Sequence, residues 1–428
     1  MSTVISTLRT APVSYGQRLL WLLDRRAGAE GAGELNERLA WRIRGPLEIA
    51  ALRGALDTLE ARHEVLRTSF GAAGRSLVQT IHPPSGVALE VADADAESGD
   101  AAPAELVDAA AGARIDPAGA PLRAFLWRLA PHDHVLALVL HQLITDPRSS
   151  ALLAEELGIA YDRGRGSARE LPATAWQYAD WCEWQSSSLA GMALRELQRS
   201  WRAELDGASF VALPAGPGEG APGEKRYERR MLGSAAADGV RRLAQAERAT
   251  PLAVALAAFW ATLHEATGQR DLAIASLFAN RRPEVERTLG LFVNMVVLRG
   301  RISPRATLAE LVRSTAGMLE SADRRAALPF HMLAPNLLGG AARGGARAED
   351  VVFQFLEGEP RASALARMHG LELAPIERQP RRARFALEVF VALMPDALAP
   401  VVLYDAGRIP GAWARSLTDR YVERLAAL

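Results

Sequence analysis

Cysteine is almost absent. Cys182 is the only one in 428 residues, so the chain has no internal disulfide and no cysteine-cluster metal site. Net charge is absent too. Fifty basic side chains balance fifty acidic ones, which gives no support to nucleic-acid binding, since that role needs a basic face or stripe. No apolar run reaches the length of a membrane span, and LALVL and LFVNMVVL are strand-sized. The N-terminal MSTVISTLRTAPVS lacks the apolar core of a secretory leader. The expectation is a cytoplasmic protein with neither a membrane nor a nucleic-acid partner. Hydrolase and protease signatures are missing as well: there is no HExxH and no GxSxG. The glycine-rich GGAARGGARAED from Gly339 has neither the Walker lysine nor the Rossmann glycine spacing, and it reads as a mobile loop.

What is present is an ordinary globular composition, 49% hydrophobic and 23% charged. The length exceeds one hydrophobic core and suggests two domains of about 200 residues each. SYGQRLLWLLDRR has helical spacing with Ser14 as a cap, ERLAWRIRG alternates as a strand, and IAALRGALDTLEARHEVLRTSF runs from helix into strand. PLRAFLWRLAPHDHVLALVLHQ reads as two strands joined by a turn near Pro131 to His134. Val135 to Leu140 is apolar on both faces, the mark of a central strand covered on both sides. A helix follows from about Pro147 to Tyr161. LPAGPGEGAPGEKR, from Leu213, packs glycine and proline among polar residues and reads as an exposed connection. The pattern then restarts with strands and helices through to GAWARSLTDRYVERLAAL. The domains are therefore expected at 1–212 and 229–428, with a linker at 213–228.

The most informative stretch is HQLITDP, His141 to Pro147. His141 and Gln142 end the buried strand, while Asp146 and Pro147 open a helix, Asp as N-cap and Pro at the first helical position. The loop between them lies beyond the carboxyl end of a strand, where α/β proteins often place ligands. On these residues alone two readings stay open: a functional loop, or a hydrogen-bonded core histidine beside a simple cap. His132 and His134 flank Asp133 in a polar turn that lacks further metal ligands. Cys182, in WQYADWCEWQ, reads as a packed thiol with no placed base.

Beyond these readings, HQLITDP resembles the HHxxxDG motif of the condensation domains of nonribosomal peptide synthetases. Other segments follow in the family's order. PVSYGQRLLWLL from Pro12 resembles PLSxxQxRLWFL, with Leu19 in place of the arginine, and RHEVLRTSF from Arg62 matches RHExLRTxF. YADWCEW from Tyr178 resembles YxDYAxW, LGLFVNMVVLR from Leu289 follows IGxFVNTLxLR, and RAALPFHMLA from Arg325 is a weaker likeness of HQDxPFExLV. The resemblance implies an α/β fold of two chloramphenicol acetyltransferase-like lobes forming a V with a central tunnel. It implies peptidyl or acyl carrier proteins as partners, which present phosphopantetheine-tethered substrates, and no bound cofactor. The reaction it implies is acyl transfer from a carrier thioester to an amine or a hydroxyl.

The departures are specific. The family's catalytic second histidine corresponds to Gln142, which has no titratable group near neutral pH. His141 takes the place of the structural first histidine. Asp146 is expected to pair with an arginine, Arg62 and Arg67 being the candidates, and Pro147 replaces the motif's glycine. Arg325 replaces the family's histidine in HQDxPFExLV, and His331 replaces its glutamate. His331 is a substitute base only if its side chain reaches the tunnel. Three outcomes follow from the resemblance: an acyltransferase with an altered site, a catalytically silent domain that recruits a carrier protein or a tailoring enzyme, or an atypical cyclisation domain. A free-standing protein, the start of a larger one and an excised domain all fit the ends of the chain.

Overall fold

A computed structural model describes residues 8–28, 33–74, 76–94, 102–214, 220–221, 223–303, 305–339, 345–358, 368–376 and 383–428. In chain order, β1 (Arg9–Pro12), α1 (Tyr15–Ala27), β2 (Asn36–Arg44), α2 (Ile49–Arg62), β3 (Thr68–Ala73), β4 (Ser76–Ile81) and β5 (Leu89–Asp93) come first. They are followed by α3 (Ala102–Gly112), β6 (Leu122–Ala130), β7 (Asp133–His141), α4 (Pro147–Gly164), α5 (Tyr178–Ser188) and α6 (Gly191–Leu205). Next come β8 (Lys225–Arg229), α7 (Ser234–Ala246), α8 (Pro251–Thr267), β9 (Asp271–Phe278), β10 (Asn294–Arg301) and α9 (Leu308–Arg325). The chain ends with β11 (Val351–Glu357), β12 (Glu372–Pro375), β13 (Leu387–Leu393), β14 (Leu398–Asp405) and α10 (Gly411–Ala426).

These elements form two compact units. The first comprises Met1–Ala190, Ala279–Val293 and Arg361–Arg378; the second comprises Gly191–Phe278, Asn294–Pro360 and Gln379–Leu428. The boundary expected at 213–228 is therefore displaced. Trp201 and Leu205 of α6 are buried in the second unit's core, and β8, which begins inside the expected linker, is an edge strand of that unit's sheet. Glycine and proline mark a surface connection, but a surface connection is not always a domain boundary. Residues 215–219 and 222 of that stretch, and residues 340–344 of the glycine-rich run, lie outside the described residues.

In the first unit a five-stranded sheet runs β12-β2-β7-β6-β5 and a smaller one runs β1-β4-β3. β7 is central, antiparallel to β2 on one side and to β6 on the other. Its alternate residues feed two cores. Leu136, Leu138 and Leu140 pack with α2 and α4, while Val135, Ala137 and Val139 pack with Val107 of α3 and Ile115. Burial on both faces explains why this strand has no polar alternation. β12 returns late in the chain to the edge of β2, Leu373 opposite Ile43. In the second unit a six-stranded sheet, β10-β9-β11-β13-β14-β8, lies under α7, α8, α9 and α10. No helix among the described residues is long and apolar enough to cross a membrane.

Candidate functional site

The loop after β7 is built as the local chemistry dictates. His141 ends the strand, and Gln142–Ile144 forms one 3-10 turn. Asp146 caps α4, its Oδ1 accepting the Ser149 N–H at 2.8 Å, and Pro147 occupies the first turn, where no intrahelical partner for its missing N–H is needed.

The turn is fixed from several sides. The Gln142 N–H donates to the Leu35 carbonyl at 2.8 Å. The Leu143 N–H donates to His141 Nδ1 at 3.1 Å, and the Leu143 carbonyl accepts from Gln17 Nε2 at 2.9 Å. Gln17 is fully buried, and its Oε1 accepts the Ser14 N–H at 3.0 Å in the capping box of α1. The His141 tautomer follows: Nδ1 is an acceptor, so in the neutral ring the proton is on Nε2, which faces Asp24 Oδ1 at 3.6 Å. Arg114 holds Asp24 at 2.6 Å. Burial pushes the His141 pKa below the ordinary histidine value, with Asp24 pulling the other way and Arg114 adding to the fall. The acceptor nitrogen of His141 is thus already engaged within the turn.

Asp146 does more than cap. Its Oδ1 also accepts from Arg281 at 3.0 Å, and its Oδ2 accepts the N–H groups of Phe292 at 2.9 Å and Val293 at 3.3 Å. Arg281 is buried, donates to the carbonyls of Val285 and Thr288, and stacks over the Phe292 ring at 4.1 Å. Ser149 Oγ accepts from Gly290 N–H and from Arg281 and donates to the Gly290 carbonyl. Tyr178 donates its hydroxyl to the Leu291 carbonyl at 2.6 Å and lies 3.0 Å from Ser14 Oγ. A Cβ on Gly290 would lie 1.9 Å from the Tyr178 ring, so only glycine fits there.

The expected arginine partner therefore exists but is neither Arg62 nor Arg67. Arg62 binds Glu156 at 2.9 Å, together with Thr174 and the Pro172 carbonyl. Arg67 donates to the carbonyls of Glu60, Ala61 and His82. Arg62 ends α2 and Arg67 ends the 3-10 turn that follows it, and these bonds direct both guanidinium groups away from Asp146. Arg281 lies 135 positions from Asp146 in sequence, and no spacing marks it. Ser149, Asp24 and the bond from Gln17 to the Leu143 carbonyl were missed for the same reason: these roles exist only in three dimensions.

Gln142 is half-buried, and its side chain makes no hydrogen bond among the described residues. In the second unit, Asn294 donates to the carbonyls of Ala326 and Leu328 and accepts the Phe330 N–H, which ties the start of β10 to the ALPF segment. Arg325 pairs with Glu204 at 3.3 Å and lies over Trp201, so it is a packing element. His331 is half-buried on the 3-10 turn Phe330–Met332. Asp133 is gripped by Arg42 through both oxygens, and Cys182 is a buried thiol whose pKa burial pushes up to about 12.

The comparisons agree with this architecture. Residues 8–398 match the family model described as Condensation domain. The chain belongs to the condensation domain family. This condensation domain is 31% identical over 403 residues to chondramide synthase cmdD of Chondromyces crocatus, covering 92% of the chain and 10% of that protein. It is 33% identical over 335 residues to phosphinothricin tripeptide synthetase PhsC of Streptomyces viridochromogenes, covering 75% of the chain and 30% of that protein. The chain thus spans a minor part of the curated relatives it matches. Among solved structures, the condensation domain of the monacolin K polyketide synthase MokA aligns at 21% identity with a TM-score of 0.79, covering 98% of this chain and 97% of that one. The X-domain solved with OxyB from teicoplanin biosynthesis aligns at 24% identity with a TM-score of 0.80, covering 100% and 94%. These likenesses carry the chloramphenicol acetyltransferase-like α/β fold of the condensation domain.

Proposed function

We propose that this condensation domain transfers an acyl group from a carrier-protein thioester to an amine in nonribosomal peptide biosynthesis, with Gln142 as the polar group beside the reacting atoms. The observation that carries the reading is the Gln142 side chain. It projects from a turn held by Leu35, Gln17 and His141, yet it has no hydrogen bond of its own among the described residues. A side chain carried on a fixed turn and itself left uncommitted suits a hydrogen-bonding role toward a substrate.

The chemistry needs no bound cofactor; the phosphopantetheine arm belongs to the peptidyl or acyl carrier partner. A free-base amine attacks the thioester carbonyl carbon. The C–N bond forms, the C–S bond breaks, and the proton lost from nitrogen ends on the departing thiolate. Gln142 donates its amide N–H to the carbonyl oxygen as negative charge develops there. A hydroxyl acceptor is disfavoured, because its proton must leave during attack. Gln142 cannot take that proton, and the acceptor nitrogen of His141 is engaged by Leu143.

The same lack of a base supports a second reading, a silent domain that recruits a carrier protein or a tailoring enzyme. The solved X-domain, which shares the fold, was captured with the partner OxyB. Single-turnover amide formation with loaded carrier proteins from the same pathway, followed by intact mass, separates the two. The acyltransferase reading expects turnover that falls about 10²-fold or less in Gln142→Ala, since one polar contact is lost. A rate at background with every pathway carrier overturns it and leaves the recruiting role. Robust turnover untouched by Gln142→Ala removes the part assigned to this residue.

A further inference from the structure

The six-stranded sheet has a second face. Along β13, Leu387, Val389, Val391 and Leu393 enter the core beneath the helices, so Glu388 and Phe390 point the other way. The register carries that face to Gln354 on β11, opposite Phe390, and to Leu403 and Val401 on β14, opposite Glu388 and Phe390. Glu388 is thus a half-buried carboxylate on a largely apolar strip. One oxygen accepts the Gln354 amide, and no described cation is within ion-pairing distance. Lys225 on β8 and exposed Arg384 before β13 reach it only through longer-range attraction. Burial holds its pKa above the usual carboxylate range, against the combined pull of Lys225, Arg384 and the Gln354 bond. A carboxylate desolvated without an ion partner is a costly arrangement, and such groups concentrate where a ligand completes them.

We propose that Glu388, oriented by Gln354, binds an ammonium group carried on the acyl chain that the domain handles. The methylenes of such a chain suit Phe390, Val401 and Leu403, and its charged end suits the carboxylate. The substrate class is an acyl group bearing a basic amine, and its being an acyl chain rests on the acyl-transfer reading above.

Calorimetric binding to the full chain tests this without any turnover. The probes are N-acetylethylenediamine amides of hexanoate, 6-aminohexanoate, butanoate and 4-aminobutanoate, in which an amide replaces the reactive thioester. At one chain length the amino probe is expected to bind at least about tenfold tighter than its desamino partner, the usual scale for a hydrogen bond to a charged group. Glu388→Gln should abolish that preference while leaving desamino binding unchanged. Glu388→Asp, a second variant that keeps the charge, should retain the preference at reduced strength. Because the carboxylate must be ionised, the preference should fade as pH drops through the raised Glu388 pKa. Equal binding of both probes, a preference that survives Glu388→Gln, or no binding of any probe overturns the proposal. Failure of carrier turnover alone leaves this readout intact, so the two readings fail separately.

Discussion

Removing the Asp146 carboxylate is the sharpest perturbation available. Asp146→Ala deletes four contacts in one step: the Ser149 cap, the Arg281 pair and the N–H groups of Phe292 and Val293. The cap alone is worth about 0.5–2 kcal/mol. The larger effect is on Arg281, whose side chain is 3% exposed and loses its only ionic partner among the described residues. Breaking a buried pair from one side typically costs about 3–5 kcal/mol. The contributions share one carboxylate and do not add, so about 3–5 kcal/mol is the expected total. For a unit of this size that corresponds to a fall in Tm of roughly 6–20 °C. Asp146→Asn, which keeps cap geometry without charge, should fall between the two. Arg281→Met in the Asp146→Ala background should recover stability, because the stranded charge is gone. Urea and thermal unfolding followed by circular dichroism provide the measurement. A cost under about 1 kcal/mol, or no recovery in the double variant, refutes the assignment of Asp146 and Arg281 as a buried clamp.

Gly290→Ala should destabilise the protein by about 1–3 kcal/mol or more through overpacking against Tyr178, and Gly290→Ala with Tyr178→Ala should cost less than the two single changes summed; strict additivity in urea unfolding defeats the steric account. Burial lowers the pKa of both His63 and His141, so the unfolded chain binds protons below about pH 6.5 that the folded chain refuses. Stability should then fall as pH drops from 7 toward 5, by up to about 1.4 kcal/mol per pH unit for each histidine, and urea midpoints that do not move over that range count against it. Cys182 should react with a disulfide reagent only at the rate of unfolding, since it is buried and its thiol is held protonated; rapid labelling of the native protein contradicts that.

The elements around the site were legible because their signals are local. Ser14 and Gln17 form the capping box that SYGQ spells, and Asp-Pro marks the start of α4. The central strand was legible because burial on two faces leaves no polar alternation. The clamp was half legible. That Asp146 pairs with an arginine follows from the motif, but which arginine depends on a later segment, 279–293, packing into the first unit, and no periodicity records that return. Arg62 and Arg67 lay nearer in sequence and in a matching motif, but Glu156, Thr174 and four backbone carbonyls hold them where they are. The displaced boundary has the same origin, since composition reports exposure and α6 joins the second unit through Trp201 and Leu205.

The PVSYGQ, HQLITDP, YADWCEW and LGLF segments are one physical object rather than separate signatures. Ser14 and Gln17, Tyr178, Asp146 and the Gly290–Phe292 backbone hold one another through buried hydrogen bonds, so a change at any of them disturbs the turn that carries Gln142. Gln142 itself gives nothing to that knot except its backbone N–H. Its side chain can therefore vary at little cost to folding. That separation makes Gln142→His informative: stability should stay within about 0.5 kcal/mol of the parent, as for a partly exposed position outside the buried network. Any change in amide formation then reports on chemistry alone. If the histidine raises the single-turnover rate, the loop still presents position 142 to the reacting atoms and the glutamine limits the step. A large loss of stability would show instead that the glutamine side chain belongs to the knot, and would refute its assignment as a substrate-facing group.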